Sequence, residues 1–319
     1  MRVKPQLNAQ AEALLAIVQR PGNPPMHTLE TAEAREVSRK LHFAFRPQMP
    51  SGVATREVQI PRPAAEGGGL AARLYRPAGL ADAPLPALVW FHGGGWVIRD
   101  LDTDDVLCSE LCLSANAAVL SVEYRLGPEH RFPAAVDDAA FATRWLRANA
   151  QSLAVDPARV AVGGDSAGGN LAIVTAIALR DQGEPPLRFQ LLVYPSTNQG
   201  ESQGSREAFG EGLLLDRETM RWFGKRYLRG KEDALDWRAS PLLAKSLAGL
   251  PPALIIAAEL DPIVDDGKAF ADRLREAGVP VEYTSYPGVI HGFFLLGGAF
   301  DAGKAAVQQA GRALARALQ

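Results

Sequence analysis

Short apolar runs alternate with stretches of helical periodicity from about residue 55 onward. The apolar runs predict eight strands, near residues 56–60, 70–76, 87–91, 119–123, 160–163, 189–194, 253–258 and 281–286. The periodic stretches predict helices near residues 104–116, 134–150, 167–182, 265–277 and 301–318. Strands that alternate with helices favour the α/β class, with a mostly parallel sheet covered on both faces. A chain of 319 residues is long enough to build that sheet as one large domain.

The N-terminal region does not follow this alternation. Residues 8–20 and 28–44 have helical periodicity, and Thr28 or Thr31 is the expected cap of the second helix. Prolines and a glycine then end the helical pattern before residue 53. We therefore expect residues 1–50 to form helices outside the sheet.

A second segment, residues 196–235, is rich in glycine and serine at first and then becomes helical around Trp222. Insertions in α/β folds emerge at the carboxyl ends of strands, where ligands bind. The sequence therefore predicts that residues 1–50 and 196–235 together form a helical cap, and that residues 51–319 form the catalytic domain.

The pentapeptide Gly164-Asp165-Ser166-Ala167-Gly168 lies between a predicted strand and a predicted helix. A nucleophile on a sharp strand-to-helix turn needs small residues two positions before and after it, because larger side chains would collide with neighbouring elements. The helix N-terminus also favours a developing negative charge. Ser166 is therefore a candidate nucleophile. The alternative is a glycine-rich turn that only ends a strand.

The sequence His92-Gly93-Gly94-Gly95-Trp96 directly follows the predicted strand 87–91. Consecutive glycines let the backbone approach a substrate and point N–H groups at one place. The pattern matches the oxyanion loop of lipases and esterases, which works together with the N–H of the residue after the nucleophile. A flexible turn or a phosphate loop is the alternative. The segment from Gly298 to Lys304 imitates a phosphate loop but has Ala305 in place of the required hydroxyl.

The acid and the base of a hydrolase of this kind follow the serine in chain order. Asp261 lies just past the predicted strand 253–258 and is the favoured acid, with Glu259 as its nearest rival and Asp265 and Asp266 further away. His291 is the only histidine after Ser166 and is therefore the candidate general base.

Bulk properties exclude several other classes. The net charge of −2 and the lack of a lysine or arginine cluster give no reason to expect nucleic acid as a partner. No run of about 18 apolar residues occurs, so no membrane span is expected. Cys108 and Cys112 are expected to be small buried residues, with no disulfide or metal. Few cysteines and no signal peptide suggest a cytoplasmic protein.

These motifs together resemble the bacterial hormone-sensitive-lipase-like esterases, in the subfamily that carries Gly-Asp-Ser-Ala-Gly-Gly. The resemblance covers roughly residues 55–319 and includes four further stretches: residues 122–129, residues 132–135, Asp261-Pro262 and His291-Gly292-Phe293. It implies an α/β-hydrolase fold with an N-terminal helical cap, and a triad of Ser166, Asp261 and His291. It assigns the oxyanion N–H groups to Gly94, Gly95 and Ala167, and supporting roles to His92, Gly93 and Asp165.

By the same resemblance, the expected substrate is a carboxylic ester with a short or medium acyl chain, hydrolysed through an acyl-enzyme without a cofactor or metal. A homodimer is also compatible with the resemblance, and the last strand and helix are its candidate interface. Hydrolysis of an amide or a lactone stays open. A ligand receptor on an inactive scaffold is a further alternative, but the related plant gibberellin receptors lack the catalytic histidine, and His291 is present here. Trp96, Leu215 and Phe293 are candidate substrate contacts, although each is equally compatible with core packing.

Overall fold

The computed structural model describes residues 6–63, 68–80, 83–200 and 204–319. Parts of both predicted cap segments, residues 1–5 and 201–203, lie outside the described residues. The strands are β1 (Val53–Ile60), β2 (Leu70–Pro77), β3 (Leu85–Phe91), β4 (Ala118–Val122), β5 (Val155–Asp165), β6 (Gln190–Val193), β7 (Ala253–Leu260) and β8 (Val281–Ile290). The helices are α1 (Ala9–Val18), α2 (Thr31–Phe45), α3 (Asp105–Ala115), α4 (Ala134–Ala148), α5 (Ala167–Asp181), α6 (Gly204–Ala208), α7 (Arg217–Tyr227), α8 (Val264–Glu276) and α9 (Asp301–Ala317).

All eight strands join one sheet in the order β1-β2-β4-β3-β5-β6-β7-β8. Strand β2 pairs antiparallel with both β1 and β4, and every other pair is parallel. This arrangement confirms the predicted eight-stranded, mostly parallel sheet.

Strand β3 shows why the central strands are apolar at every position. All seven of its residues are buried. Val89 and Phe91 pack with helices α4, α5 and α8 on one face of the sheet, whereas Leu88 and Trp90 pack with α1, α3 and α9 on the other. Successive side chains of a strand point to opposite faces, so a strand covered on both sides has no solvent-facing position.

The two cysteines lie on α3 and are free and buried, which confirms the expectation that they act as small core residues. The predicted cap of the second N-terminal helix is wrong. Glu30 holds the N-cap position of α2 without a side-chain hydrogen bond, and Thr31 is already helical. Thr28 instead ends a short 3-10 turn, where its hydroxyl donates to the carbonyl of Pro25 at 2.8 Å.

Candidate active site

Ser166 lies on the turn between the last residue of β5 and the first residue of α5. Its backbone has φ 55° and ψ −115°, a conformation that costs a non-glycine residue about 1–3 kcal/mol. A Cβ on Gly164 would overlap the backbone of Gly168, and a Cβ on Gly168 would overlap the carbonyl of Phe91. The two glycines are therefore required by the close approach of β3 to the turn, as the sequence pattern predicted.

Asp261 and His291 follow strands β7 and β8 and meet Ser166 at the same end of the sheet. The Nε2 atom of His291 lies 3.0 Å from the Oγ of Ser166. Its Nδ1 atom lies 2.7 Å from the Oδ2 of Asp261, a fully buried side chain whose Oδ1 accepts from the backbone N–H of Ile263 at 2.9 Å. Because a carboxylate can only accept, Nδ1 carries the hydrogen and the Nε2 lone pair faces Ser166.

The three rival carboxylates are occupied elsewhere. Glu259 accepts from the N–H of Gly288 at 2.8 Å, and Asp265 accepts from the N–H of Ser205 at 2.9 Å. Asp266 is fully buried, accepts from the N–H of Asn198 at 3.1 Å, and has a pKa that burial raises to about 6. Asp261 is thus the carboxylate that the structure brings to His291.

The glycine loop bends back beside this group. Gly94 and Gly95 have φ values of 98° and 59°, in the region that favours glycine. The N–H groups of Val97 and Ile98 both donate to the carbonyl of Gly94, at 3.0 Å each. Within the described ranges, the N–H groups of Gly94, Gly95 and Ala167 donate no hydrogen bond, so they are available to a ligand.

Asp165 connects the turn at Ser166 to the glycine loop. Its Oδ1 accepts from the N–H of Gly93 at 2.8 Å, and its Oδ2 accepts from Arg99 at 2.7 Å. Arg99 also bonds to Asp104, and all three charged side chains are buried. Burial disfavours the charged carboxylate of Asp104, but the Arg99 guanidinium, together with His92 and the indole N–H of Trp90, outweighs burial and lowers the pKa of Asp104. Arg99 and Asp104 are not predictable from the sequence, because no local pattern distinguishes a buried ion pair from a solvated one.

His92 and Tyr124 support the loop from below. Their rings stack with centroids 4.4 Å apart, and the Tyr124 hydroxyl donates to the carbonyl of His92 at 2.7 Å. The Nδ1 of His92 lies 2.7 Å from the carbonyl of Gly93. Both carbonyls are thereby fixed by side-chain contacts.

A cavity of about 1180 Å³ opens over Ser166 and His291. We use the term cap segments for the described residues of 6–50 and 196–235. Both contribute to the wall of this cavity, through side chains that include Met26, Ser38, Leu41, His42, Leu214, Leu215, Met220 and Phe223. The division of the chain into a cap and a catalytic domain stays a prediction.

Trp96 and Leu215, two of the predicted substrate contacts, line the cavity. Trp96 stacks on Tyr227, the last residue of α7, with ring centroids 4.3 Å apart. The prediction that Phe293 contacts the substrate is wrong. It is fully buried, packs between Tyr194 and Tyr286, and is absent from the described cavity wall, so it belongs to the core. Tyr194 was not predicted, although its ring lies 4.5 Å from that of His291.

Across the described ranges, no three His, Cys, Asp or Glu side chains are grouped to hold a metal ion. No helix among the described residues has both the length and the apolar character needed to cross a membrane.

Comparison with known proteins gives a consistent set of similarities. Residues 88–295 match the model of a family described by the alpha/beta hydrolase fold. The chain is 46% identical to carboxylic ester hydrolase LipN of Mycobacterium tuberculosis over 260 residues, 79% of this chain and 68% of that protein. It is 41% identical to an ethyl acetate hydrolase of Pseudomonas putida over 86% of each chain. Among solved structures, a thermostable esterase from Pseudomonas putida matches with a TM-score of 0.94 and 35% identity, over 99% of both chains.

Proposed function

This chain belongs to the α/β hydrolase fold family, and from that premise we propose that it cleaves carboxylic esters by attack of Ser166 on the ester carbonyl. Relatives named carboxylic ester hydrolase and ethyl acetate hydrolase identify the chain as a carboxylic ester hydrolase. The observation that carries the mechanism is the continuous chain of contacts from Ser166 through His291 to Asp261, at 3.0 and 2.7 Å.

In the first step, His291 takes the proton of the Ser166 hydroxyl as its oxygen bonds to the carbonyl carbon. Asp261 holds the tautomer and stabilises the imidazolium. The N–H groups of Gly94, Gly95 and Ala167 stabilise the negative charge on the carbonyl oxygen. His291 then gives the proton to the departing alkoxide, and an acyl-enzyme remains.

In the second step, His291 removes a proton from water, and the resulting hydroxide attacks the acyl carbon. Collapse of this intermediate returns the proton to Ser166 and releases the carboxylic acid. His291 takes part in every proton transfer of this scheme, and its partners are Ser166, the departing alkoxide and water.

The test replaces the nucleophile and keeps a neighbouring serine as control. Ser166→Ala should lower kcat on p-nitrophenyl butanoate by about 10³-fold or more. Ser196→Ala removes another hydroxyl on the same cavity and should keep activity within about threefold. An organophosphate ester should label the wild type and Ser196→Ala on the peptide that contains Ser166. Near-wild-type turnover by Ser166→Ala would overturn the proposal.

We further propose that the substrates are small esters with short or medium acyl chains. The support is that both cap segments contribute to the wall of the cavity over Ser166. Activity on p-nitrophenyl esters should fall steeply beyond medium chain length, and equal rates on the C2 and C16 esters would contradict the proposal. Amide and lactone analogues of the best ester, assayed in the same panel, should be turned over more slowly.

We also propose a homodimer in which strand β8, at the edge of the sheet, and helix α9 face a second copy. Size-exclusion chromatography with light scattering should give twice the monomer mass of 34.2 kDa. A monomer at all concentrations would exclude this arrangement.

A further inference from the structure

His42 is a polar side chain on the wall of the cavity that the mechanism does not use. It lies on α2 and borders the same cavity as Ser166. Its Nδ1 atom is 2.8 Å from the backbone carbonyl of Ser38, one helical turn earlier. A carbonyl oxygen can only accept a hydrogen bond, so this contact places the ring hydrogen on Nδ1 and leaves a lone pair on Nε2.

The imidazole of His42 is neutral at physiological pH. Burial lowers its pKa to about 4, and the neighbouring Arg99 guanidinium acts in the same direction. Throughout the described part of the chain, no protein group makes a hydrogen bond to Nε2. His42 is half-buried and lines the cavity, and its unbonded Nε2 atom is not fully enclosed by the protein. His42 is therefore a fixed hydrogen-bond acceptor beside the substrate space.

The cavity that His42 borders has a mixed lining. Leu41, Ile98, Leu214 and Leu215 are apolar residues of its wall. The cation near His42, Arg99, is already bonded to Asp104 and Asp165. A donor on a bound substrate would meet Nε2 inside the protein, where a hydrogen bond is electrostatically stronger than in water.

We propose that the preferred esters carry a hydroxyl or amide N–H on the part of the molecule that lies against α2, and that the Nε2 atom of His42 accepts its hydrogen bond. This inference rests on the proposed function, since it concerns which ester reaches Ser166. His42 acts as a specificity-determining residue and takes no part in bond making or breaking.

The cavity is expected to select esters with a donor because leaving the Nε2 acceptor unpaired costs free energy. A substrate that displaces the water at Nε2 and offers no donor leaves a desolvated lone pair, which is unfavourable. Sites built to bind a hydroxyl reject the analogue that lacks it far more strongly than apolar pockets reject an added methylene. We expect kcat/KM to favour the hydroxylated ester by about tenfold or more.

The experiment uses two matched pairs of esters, one for each side of the scissile bond. Ethyl butanoate and ethyl 3-hydroxybutanoate vary the acyl side, and butyl acetate and 3-hydroxybutyl acetate vary the alcohol side. The ratio of kcat/KM within each pair is measured for the wild type and for His42→Phe, which keeps a ring without an acceptor. Comparing enzymes cancels the intrinsic reactivity of each ester.

The wild type should prefer the hydroxylated member of at least one pair by about tenfold. His42→Phe should remove most of that preference, which is measured as a ratio within each pair and therefore does not depend on the overall rate of the variant. Ser38→Ala is the matched control, because it removes only the 3.4 Å contact between Ser38 Oγ and Nδ1, and it should keep the preference. If His42→Phe fails to fold by circular dichroism, His42→Leu takes its place.

A wild type that treats both members of both pairs alike would overturn the inference, and so would a preference that His42→Phe leaves unchanged. Either result with normal turnover of the plain esters leaves the proposed function intact. Failure of the wild type to hydrolyse any ester of the panel would instead count against the proposed function.

Discussion

The floor and the wall of the cavity are built in different ways. The floor consists of turns that follow β3, β5, β7 and β8, and several of its polar groups are buried and hydrogen-bonded to one another, as in the ion pairs of Arg99 with Asp104 and Asp165. The wall of helices is held by polar contacts nearer the surface. Arg39 on α2, with 42% of its side chain exposed, bonds to Asp100 and Asp102.

The cap segments also hold each other. The indole N–H of Trp222 on α7 donates to the carbonyl of Leu29 at 3.1 Å, and Arg226 donates to the hydroxyl of Thr31 at 2.9 Å. Because the floor is held by buried contacts, changes in the floor should alter the chemistry or the stability of the whole domain. Changes in the wall should alter which ester is accepted.

The largest expected effect lies at the acid on the floor. Asp261→Asn should lower kcat by roughly 10³–10⁴-fold, because an amide in place of the carboxylate no longer holds His291 in the required tautomer. Glu259→Gln is the matched control, since Glu259 contacts the N–H of Gly288 and not His291. Steady-state kinetics on p-nitrophenyl butanoate measures both. A greater loss in Glu259→Gln would show that the acid is misassigned.

The second prediction compares one arginine of the floor with one of the wall. Arg99→Met leaves two buried carboxylates without their cation and should lower the free energy of unfolding by about 3–5 kcal/mol. Arg39→Met breaks partly exposed pairs and should cost at most about 1 kcal/mol. Urea unfolding followed by fluorescence gives both values. Equal losses would show that floor and wall do not differ in how they are held.

The third prediction concerns selection by the wall. Leu215→Ala enlarges the cavity and should lower the preference for p-nitrophenyl butanoate over the decanoate by about 3–10-fold in kcat/KM. Leu235→Ala is the control, because Leu235 also borders the cavity but is 74% exposed at its rim. A shift of the same size in Leu235→Ala would mean that residues at the rim of the cavity, and not Leu215, determine the preference for acyl-chain length.

The smallest effect is a pH dependence at the wall. The pKa of His42 is about 4 in the folded protein, below its ordinary value near 6.5. Between those two pH values the unfolded chain binds a proton at this site and the folded chain does not, so stability falls as pH falls from about 6.5 to about 4. Above pH 6.5 the site makes no pH-dependent contribution.

Between pH 7 and pH 4.5, the Tm of the wild type should therefore fall by about 2–4 °C more than that of His42→Phe. The charged groups near His42, namely Arg99, Asp100 and Asp104, are unchanged in the variant, as is Asp266 with its raised pKa. Differential scanning calorimetry at several pH values makes the comparison. If Tm falls equally with pH in the wild type and in His42→Phe, His42 does not titrate as described.

The sheet and the chemical groups could be predicted from the sequence because each has a local signature. Apolar runs marked all eight strands, and chain order left His291 as the single candidate base. The predicted ends of the strands were less accurate. Strand β5 begins at Val155 and not at residue 160, because its first residue pairs with Leu85 across a register shift that no local pattern reveals.

Features that depend on distant partners could not be predicted. Phe293 lies two residues after His291 in sequence, but its side chain is buried in the core. The roles of Arg99 and His42 depend on burial by elements far away in the chain.

The backbone of Ser166 has an evolutionary consequence. A serine held at φ 55° and ψ −115° is strained, and glycine would adopt the same turn at lower energy. Selection for a stable fold and selection for turnover thus act in opposite directions at this residue. Under the proposed mechanism, a Ser166→Gly variant would gain backbone stability as it loses activity.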